Sequence, residues 1–392
     1  MTPQAIIDRY NAAAPGTRFE AHVAELGPGL RMWLLEAGAR HTASRDGEGW
    51  RLVVERRASP AQGTIPGLHH LVSQGESLWV AERAERVARV DLESRRVVAR
   101  RAVARKASHV ALKNGRLFVA DPGANEMIAL RAADLAELAR WPAPGMPQLP
   151  LASDEGIVCV TGGATGTVTL ARPRGGGYEA QTVPVGAAPH DPCLDAAGEH
   201  LFVPCAGESA IVKLRLADGA VLGRARVGDG PSHLARHPDG SRLYSANSWE
   251  GTVSCLSAEG QPLGSAPSGG WAHAIDISPD GTLLYVANFF DDTLAVFDAA
   301  TLERRATLAT EAYAHGLDVS PDGRHVVTTG FCSPRLRVFD SRTRAQSSIE
   351  VGLGSSHTAF AADGAAWVAC SVADHLARID LGTLGSEIVA LS

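Results

Sequence analysis

Seven histidines of this chain recur at a nearly constant interval. His70, His109, His190, His233, His273, His315 and His357 fall 39 to 43 residues apart once Gln148 is counted as the eighth member of the series. They account for half of the chain's 14 histidines. Imidazole is the commonest neutral side-chain ligand for zinc, copper and iron. A ring of protonated imidazoles would repel itself, so the neutral form is favoured and a metal cation is the compensating partner. One ion, at about 2.0–2.1 Å from each nitrogen, takes three or four of them. The remaining rings would bind substrate or move protons. All seven are therefore candidate metal ligands, for copper first and iron second, and His273 and His315 are the candidate catalytic pair. Gln148, a weaker ligand, marks the side on which a coordination position would stay open. His69 is an alternative to His70, which matches His109 better in its distance to the following strand. For one isolated histidine a structural role is the commoner outcome, and tandem duplication would copy such a residue into every repeat. The surroundings nevertheless diverge, with KNG after His109, DAAG after His190 and AADG after His357, while the imidazole stays.

The elements that would hold such a series are legible in the repeat itself. LLYVAN (283–288) returns as RLYSAN (242–247), RLFVAD (116–121), HLFVPC (200–205), SLWVAE (77–82) and AAWVAC (365–370), with weaker copies at 156–161 and 325–330. Most are preceded by turn sequences such as SPDG at 278–281 and 320–323, which between apolar runs signal hairpins. A further alternating strand ending in Asp follows, as in TLAVFD (293–298), RLRVFD (335–340) and HLARID (375–380), and a last strand such as ERRATLA (303–309) closes the unit. Four short strands per unit at a period of roughly 40 predict a β-propeller. Eight units fit between 64 and 392, and seven is the alternative if the weak unit at 148–185 is absorbed by its neighbours. Each ring histidine opens the innermost strand of its unit, so the series would converge on one mouth of the central channel.

Composition narrows the function classes. The chain has 392 residues, and 37 Lys+Arg against 43 Asp+Glu leave a net charge of −6, which argues against nucleic acid held by bulk charge. No apolar run approaches the roughly 18 residues needed to span a bilayer, so no membrane partner is expected. The first residues lack the basic and apolar regions of a secretory signal, and Thr2 with Pro3 reads as a helix N-cap, so the cytoplasm is the expected compartment. Six cysteines without CxxC spacing argue against both a disulfide framework and a thiolate zinc site. Cys205 and Cys370 read as small buried residues. Trp271 and Tyr313, two before His273 and His315, are candidate walls of the pocket mouth, and Asp276 and Asp318 are expected to bond backbone along their strands.

The SPDG…LYVAN…VFD pattern resembles the YVTN-type repeat propellers over most of 64–392. That resemblance implies the fold and leaves function open, because the family spans surface proteins, lactonase-like enzymes and haem-binding domains. The axial histidines alone are similar to those of propeller metalloenzymes: nitrous oxide reductase and thiocyanate dehydrogenase with multi-copper centres, and carotenoid-cleaving oxygenases with one iron held by four histidines. Residues 1–57 lack the repeat and read as a small α+β module, with a helix-like stretch at 30–37 and a hairpin at 40–56, followed by a linker at 58–67 and the propeller from 68 to 392. The module faintly resembles the sulfur-carrier-like fold, but no cysteine precedes Cys159, so that chemistry does not carry over. The expected function is a metal-dependent oxidoreductase acting on a small molecule. The alternatives are a non-enzymatic propeller with a protein partner recruited by the module, and a lyase or lactonase-like enzyme using channel histidines as acid and base.

Overall fold

The computed structural model describes residues 5, 6, 9, 18–23, 40–46, 49–55, 68–82, 85–330 and 332–391. The chain divides into two compact units, Met1–Thr64 and Ile65–Ser392. In the first, Gly49–Glu55 is the central strand of an antiparallel sheet between Arg18–Val23 and Arg40–Asp46. Arg18–Val23 alternates exposed and buried residues, so Phe19, Ala21 and Val23 form one apolar face and Arg18, Glu20 and His22 the other. The helix expected at 30–37, the cap at Thr2 and Pro3 and the linker at 58–67 lie outside the described residues.

The second unit is all-β and contains eight four-stranded antiparallel sheets, each from one continuous stretch of chain. The second strands fall where the repeat put them, for example Arg116–Asp121, His200–Cys205, Arg242–Asn247 and Leu283–Asn288. The weak unit is a complete blade, Pro147–Ala152, Val158–Gly162, Thr167–Arg174 and Gly177–Pro184, so the propeller has eight blades and not seven. The repeat's punctuation has local causes. In the SPDG turn Ser278 Oγ donates to Asp280 Oδ1 (2.6 Å) and accepts from Leu283 N (2.9 Å), while Gly281 takes φ of +73°. Where the third strand ends in Asp, at Asp91, Asp298, Asp340 and Asp380, that residue caps the next turn: Asp298 Oδ1 accepts from Ala300 N and Thr301 N, both at 3.0 Å.

A single blade leaves both faces apolar, and packing against two neighbours buries them. Between the fifth and sixth blades, for example, Tyr244, Ala246 and Val253 pack with Leu284, Val286 and Phe297 in one buried cluster. The circle closes in the same way. Leu68, Leu71, Leu78 and Val80 of the first blade meet Trp367, Ala369, Leu376 and Val389 of the last. Ser73 Oγ also donates to Phe360 O across that junction (2.5 Å). Among the described residues no strand is shared between the first and last blades, so closure rests on side-chain packing and on side-chain contacts such as the Arg95–Glu387 ion pair. Among the described residues no helix is long and apolar enough to cross a membrane.

Candidate functional site

The ring position coincides with an irregularity that the repeat does not reveal. Pairing of the inner strand with its neighbour shifts register between Leu68 and Leu71, Gln148 and Leu151, Pro231 and His233, Ala272 and Ile275, Ala314 and Leu317, and Ser355 and Thr358. His70, His273, His315 and His357 thus sit inside β-bulges, which bend a strand and re-aim the side chain. The approach is bent too: Met146, Ala188, Trp271 and Tyr313, each two before its ring residue, adopt φ of +60°, +51°, +57° and +57°. A bulky residue in that region is uncommon and costs on the order of 1 kcal/mol or more, so its recurrence shows that blade geometry imposes the kink. Gly316 serves the same end, since a Cβ there would lie 2.4 Å from Ser356 O of the next blade.

The result is a contiguous chain of imidazoles running in blade order. Ring centroids are 5.1 Å apart for His190–His233, 4.5 Å for His233–His273, 4.8 Å for His273–His315 and 5.7 Å for His315–His357. The series continues at 4.8 Å for His357–His70 and 5.2 Å for His70–His109, and His109 also meets His357 at 5.6 Å. Gln148, in the remaining blade, is exposed. His69 contributes no described side chain; His70 is the residue in these contacts.

Hydrogen bonds assign several tautomers. His273 Nδ1 lies 3.1 Å from His315 O and His315 Nδ1 lies 3.4 Å from Ser356 O. A carbonyl only accepts, so in both rings Nδ1 carries the proton and, in the neutral ring, Nε2 keeps its lone pair. His70 is the reverse, because Val110 N donates toward its Nδ1 at 3.5 Å. His109 Nδ1 meets Ser108 Oγ at 3.3 Å. Burial pushes His70 down to about 4. His273 and His357 are held well below the usual imidazole range by burial and then by repulsion from neighbouring rings. These rings are neutral at pH 7.

Asp191, which sequence reasoning passed over, joins the ring. Its Oδ2 is 2.7 Å from His233 Nε2 and its Oδ1 3.1 Å from His190 Nδ1. Burial alone would raise its carboxyl, but the charges and hydrogen bonds of His233 and His190 hold it well below the usual carboxylate range. The available signal was the PHDP sequence at 189–192. Pro192 has no N–H for the ladder, so the inner strand of this blade shrinks to Cys193–Leu194, and Asp191 N donates instead to Ser232 O of the next blade (3.0 Å).

Other expected residues separate in role. Trp271 and Tyr313 pack with Phe289 and Phe290 at 5.2 to 6.4 Å, and Phe289 lies 5.8 Å from His273, making an aromatic wall beside His273 and His315. Asp276 bonds backbone, accepting from Ile277 N and from Val319 N of the next blade, both at 2.8 Å. Burial raises Asp276 to about 6, and burial with the nearby Asp276 charge raises Asp318 to about 7. Cys205 and Cys370 are fully buried.

A family model described as lactonase, 7-bladed beta-propeller, matches residues 174–350. The chain is a β-propeller protein. Its propeller is similar to the solved structure of dihydro-heme d1 dehydrogenase NirN in complex with DHE, with TM-score 0.64 and 17% identity over 81% of this chain and 72% of that one. It is also similar to Sqt1 of Saccharomyces cerevisiae (TM-score 0.69, 11% identity, 78% of this chain, 94% of that one). A functionally unknown protein from Desulfotomaculum acetoxidans DSM 771 aligns with TM-score 0.57 and 13% identity over 70% of this chain and 95% of that one. At these identities the likeness is one of fold. No curated protein matches the chain.

Proposed function

We propose that this propeller is a metal-dependent enzyme, an oxidoreductase that holds a copper or iron ion among the ring imidazoles and acts on a small molecule in the cytoplasm. One observation carries the reading: neutral imidazoles in contact at one mouth, two of them locked by backbone carbonyls with Nε2 unprotonated. Metal-ligating histidines characteristically donate the other ring N–H to a carbonyl or carboxylate, which fixes tautomer and orientation. A bound ion would supply electron transfer and polarisation of the substrate. His273 and His315 present Nε2 as ligand or as acceptor of a substrate proton, and the aromatic wall beside them excludes water from their side. The N-terminal unit is a candidate platform for a protein partner.

The test is metal analysis of protein purified without a polyhistidine tag, then loaded with Cu(II) or Fe(II). At least one ion per chain is expected, and replacing a ring histidine that ligates it with Ala should weaken its affinity at least about tenfold. A chain that takes up neither ion overturns the reading. The lactonase-type match on 174–350 favours a second one, in which an unprotonated Nε2 acts as a general base without metal. Lactone hydrolysis that survives chelators and is lost in His315→Ala would establish it.

A further inference from the structure

The imidazoles of the ring are not equivalent, and the difference locates an ion. We propose that His190, Asp191 and His233 form a two-histidine, one-carboxylate site for a divalent cation of the iron(II) type; this rests on the metal-dependent reading above and names the place and class of its metal. Each carboxylate oxygen of Asp191 faces a different imidazole nitrogen, at 3.1 Å and 2.7 Å, and donor atoms of all three residues lie within 4.8 Å of one another. An ion at about 2.0–2.2 Å from two donors separates those donors by about 3.0–3.5 Å. The two carboxylate–imidazole pairs already stand near that spacing.

The proton inventory permits the exchange. His233 Nε2 donates to Asp191 Oδ2, and the His190 Nδ1 proton lies between Asp191 Oδ1 and Ser232 O, each at 3.1 Å. Coordination through these atoms therefore requires each ring to carry its proton on the other nitrogen and His190 to give up Ser232 O, which still accepts from Asp191 N. His233 Nδ1 has Ser232 Oγ at 3.1 Å to accept from it. The His190 side chain is 42% exposed, so water accepts from its Nε2. Both imidazoles then coordinate while neutral, and no net proton is lost. The anionic carboxylate balances part of the cation's charge, which the neutral rings elsewhere cannot do.

Ligand chemistry narrows the ion. Two imidazoles and a carboxylate with open positions suit iron(II), whereas copper(II) takes a square-planar or tetragonal set that other ring imidazoles can supply without the carboxylate. Open positions follow from the local fold. The inner strand of this blade is only Cys193–Leu194, and the preceding blade begins with the exposed Gln148. Water or a small substrate therefore reaches the corner from that side. Pro189 and Pro192 flank the ligand pair; His190 N still donates to Pro204 O of the second strand (2.9 Å) while Asp191 N turns to Ser232 O of the next blade (3.0 Å), so the distortion that supplies Asp191 is written into four consecutive residues.

The test compares Fe(II), titrated without oxygen, with Cu(II) on the full, tag-free, metal-stripped chain. Wild type should bind one Fe(II). D191N, which keeps the shape and removes the charge, should weaken Fe(II) at least about 100-fold and Cu(II) less than about tenfold. D191E should recover most Fe(II) affinity, and H357Q, on the opposite side, should change it less than about threefold. H233Q carries the same test if circular dichroism shows D191N unfolded. Fe(II) binding that D191N and H233Q leave intact overturns this site while the ring reading stands. Loss of Fe(II) in H357Q but not in D191N has the same meaning. A wild-type chain that binds neither ion overturns both.

Discussion

His357, His70 and His109 touch one another directly, with centroids 4.8 to 5.6 Å apart, and His190 and His233 are as close at 5.1 Å but are also bridged by Asp191. All five occupy the same repeat position. On the first side, burial and neighbouring imidazoles act together against protonation, as at His357. On the second, a carboxylate one residue beyond the repeat position draws two imidazoles toward a shared proton or cation. The lesson is that a repeat copies a side chain's place, while its protonation chemistry is set by groups the repeat does not copy. Asp276 and Asp318 extend the contrast: they are carboxylates too, but burial dominates and raises them to about 6 and about 7.

The sharpest way to break this comparison is Asp191→Ala. Removing one member of a partly buried pair strands the others, so at pH 7 the variant should lose about 3 kcal/mol, read by urea unfolding followed through tryptophan fluorescence. Because the carboxyl is depressed in the folded state, the contribution is present above the ordinary carboxylate range and fades as pH falls through the folded value. A loss below about 0.5 kcal/mol would mean the pair is ornamental.

The histidine trio makes a smaller, oppositely placed effect. His70 falls from 6.5 unfolded to about 4 folded, so the unfolded chain takes up a proton first as pH drops. Stability should be flat above pH 6.5 and decline toward pH 4, by about 1–2 kcal/mol for this residue once partial exposure is discounted. His70→Gln should flatten that limb of the melting-temperature profile; an unchanged slope would remove His70 from the account.

Asp318→Asn gives the smallest expected change. A carboxyl raised to about 7 costs stability above that pH and stops costing it below about 4. The variant should therefore gain about 1 kcal/mol at pH 8, and the gain should shrink by pH 5, measured by the same unfolding curves. Equal effects at both pH values would show that packing, not charge, dominates at this position.

Most of the architecture was legible in the chain. A recurring LYVAN-like strand, an Asp-ended third strand and turns such as SPDG are local signals, and the period of about 40 residues converts them into blades. The common placement of seven histidines followed, because equivalent inner-strand positions of a closed propeller must lie around one axis. Even the weak unit at 148–185 obeyed the period and formed its own blade. Tautomers, the bulges around His273, His315 and His357, and the capture of two imidazoles by Asp191 were decided by tertiary structure. The bulges arise in pairing within a blade, as Ala272 with Asn288, whereas the tautomers and the capture depend on partners roughly 40 residues away, as His273 Nδ1 depends on His315 O and Asp191 on His233. Spacing along the chain sets which residues come to one height. Only the packing of neighbouring blades brings the carbonyls, hydroxyls and carboxylate near enough to decide where each proton sits.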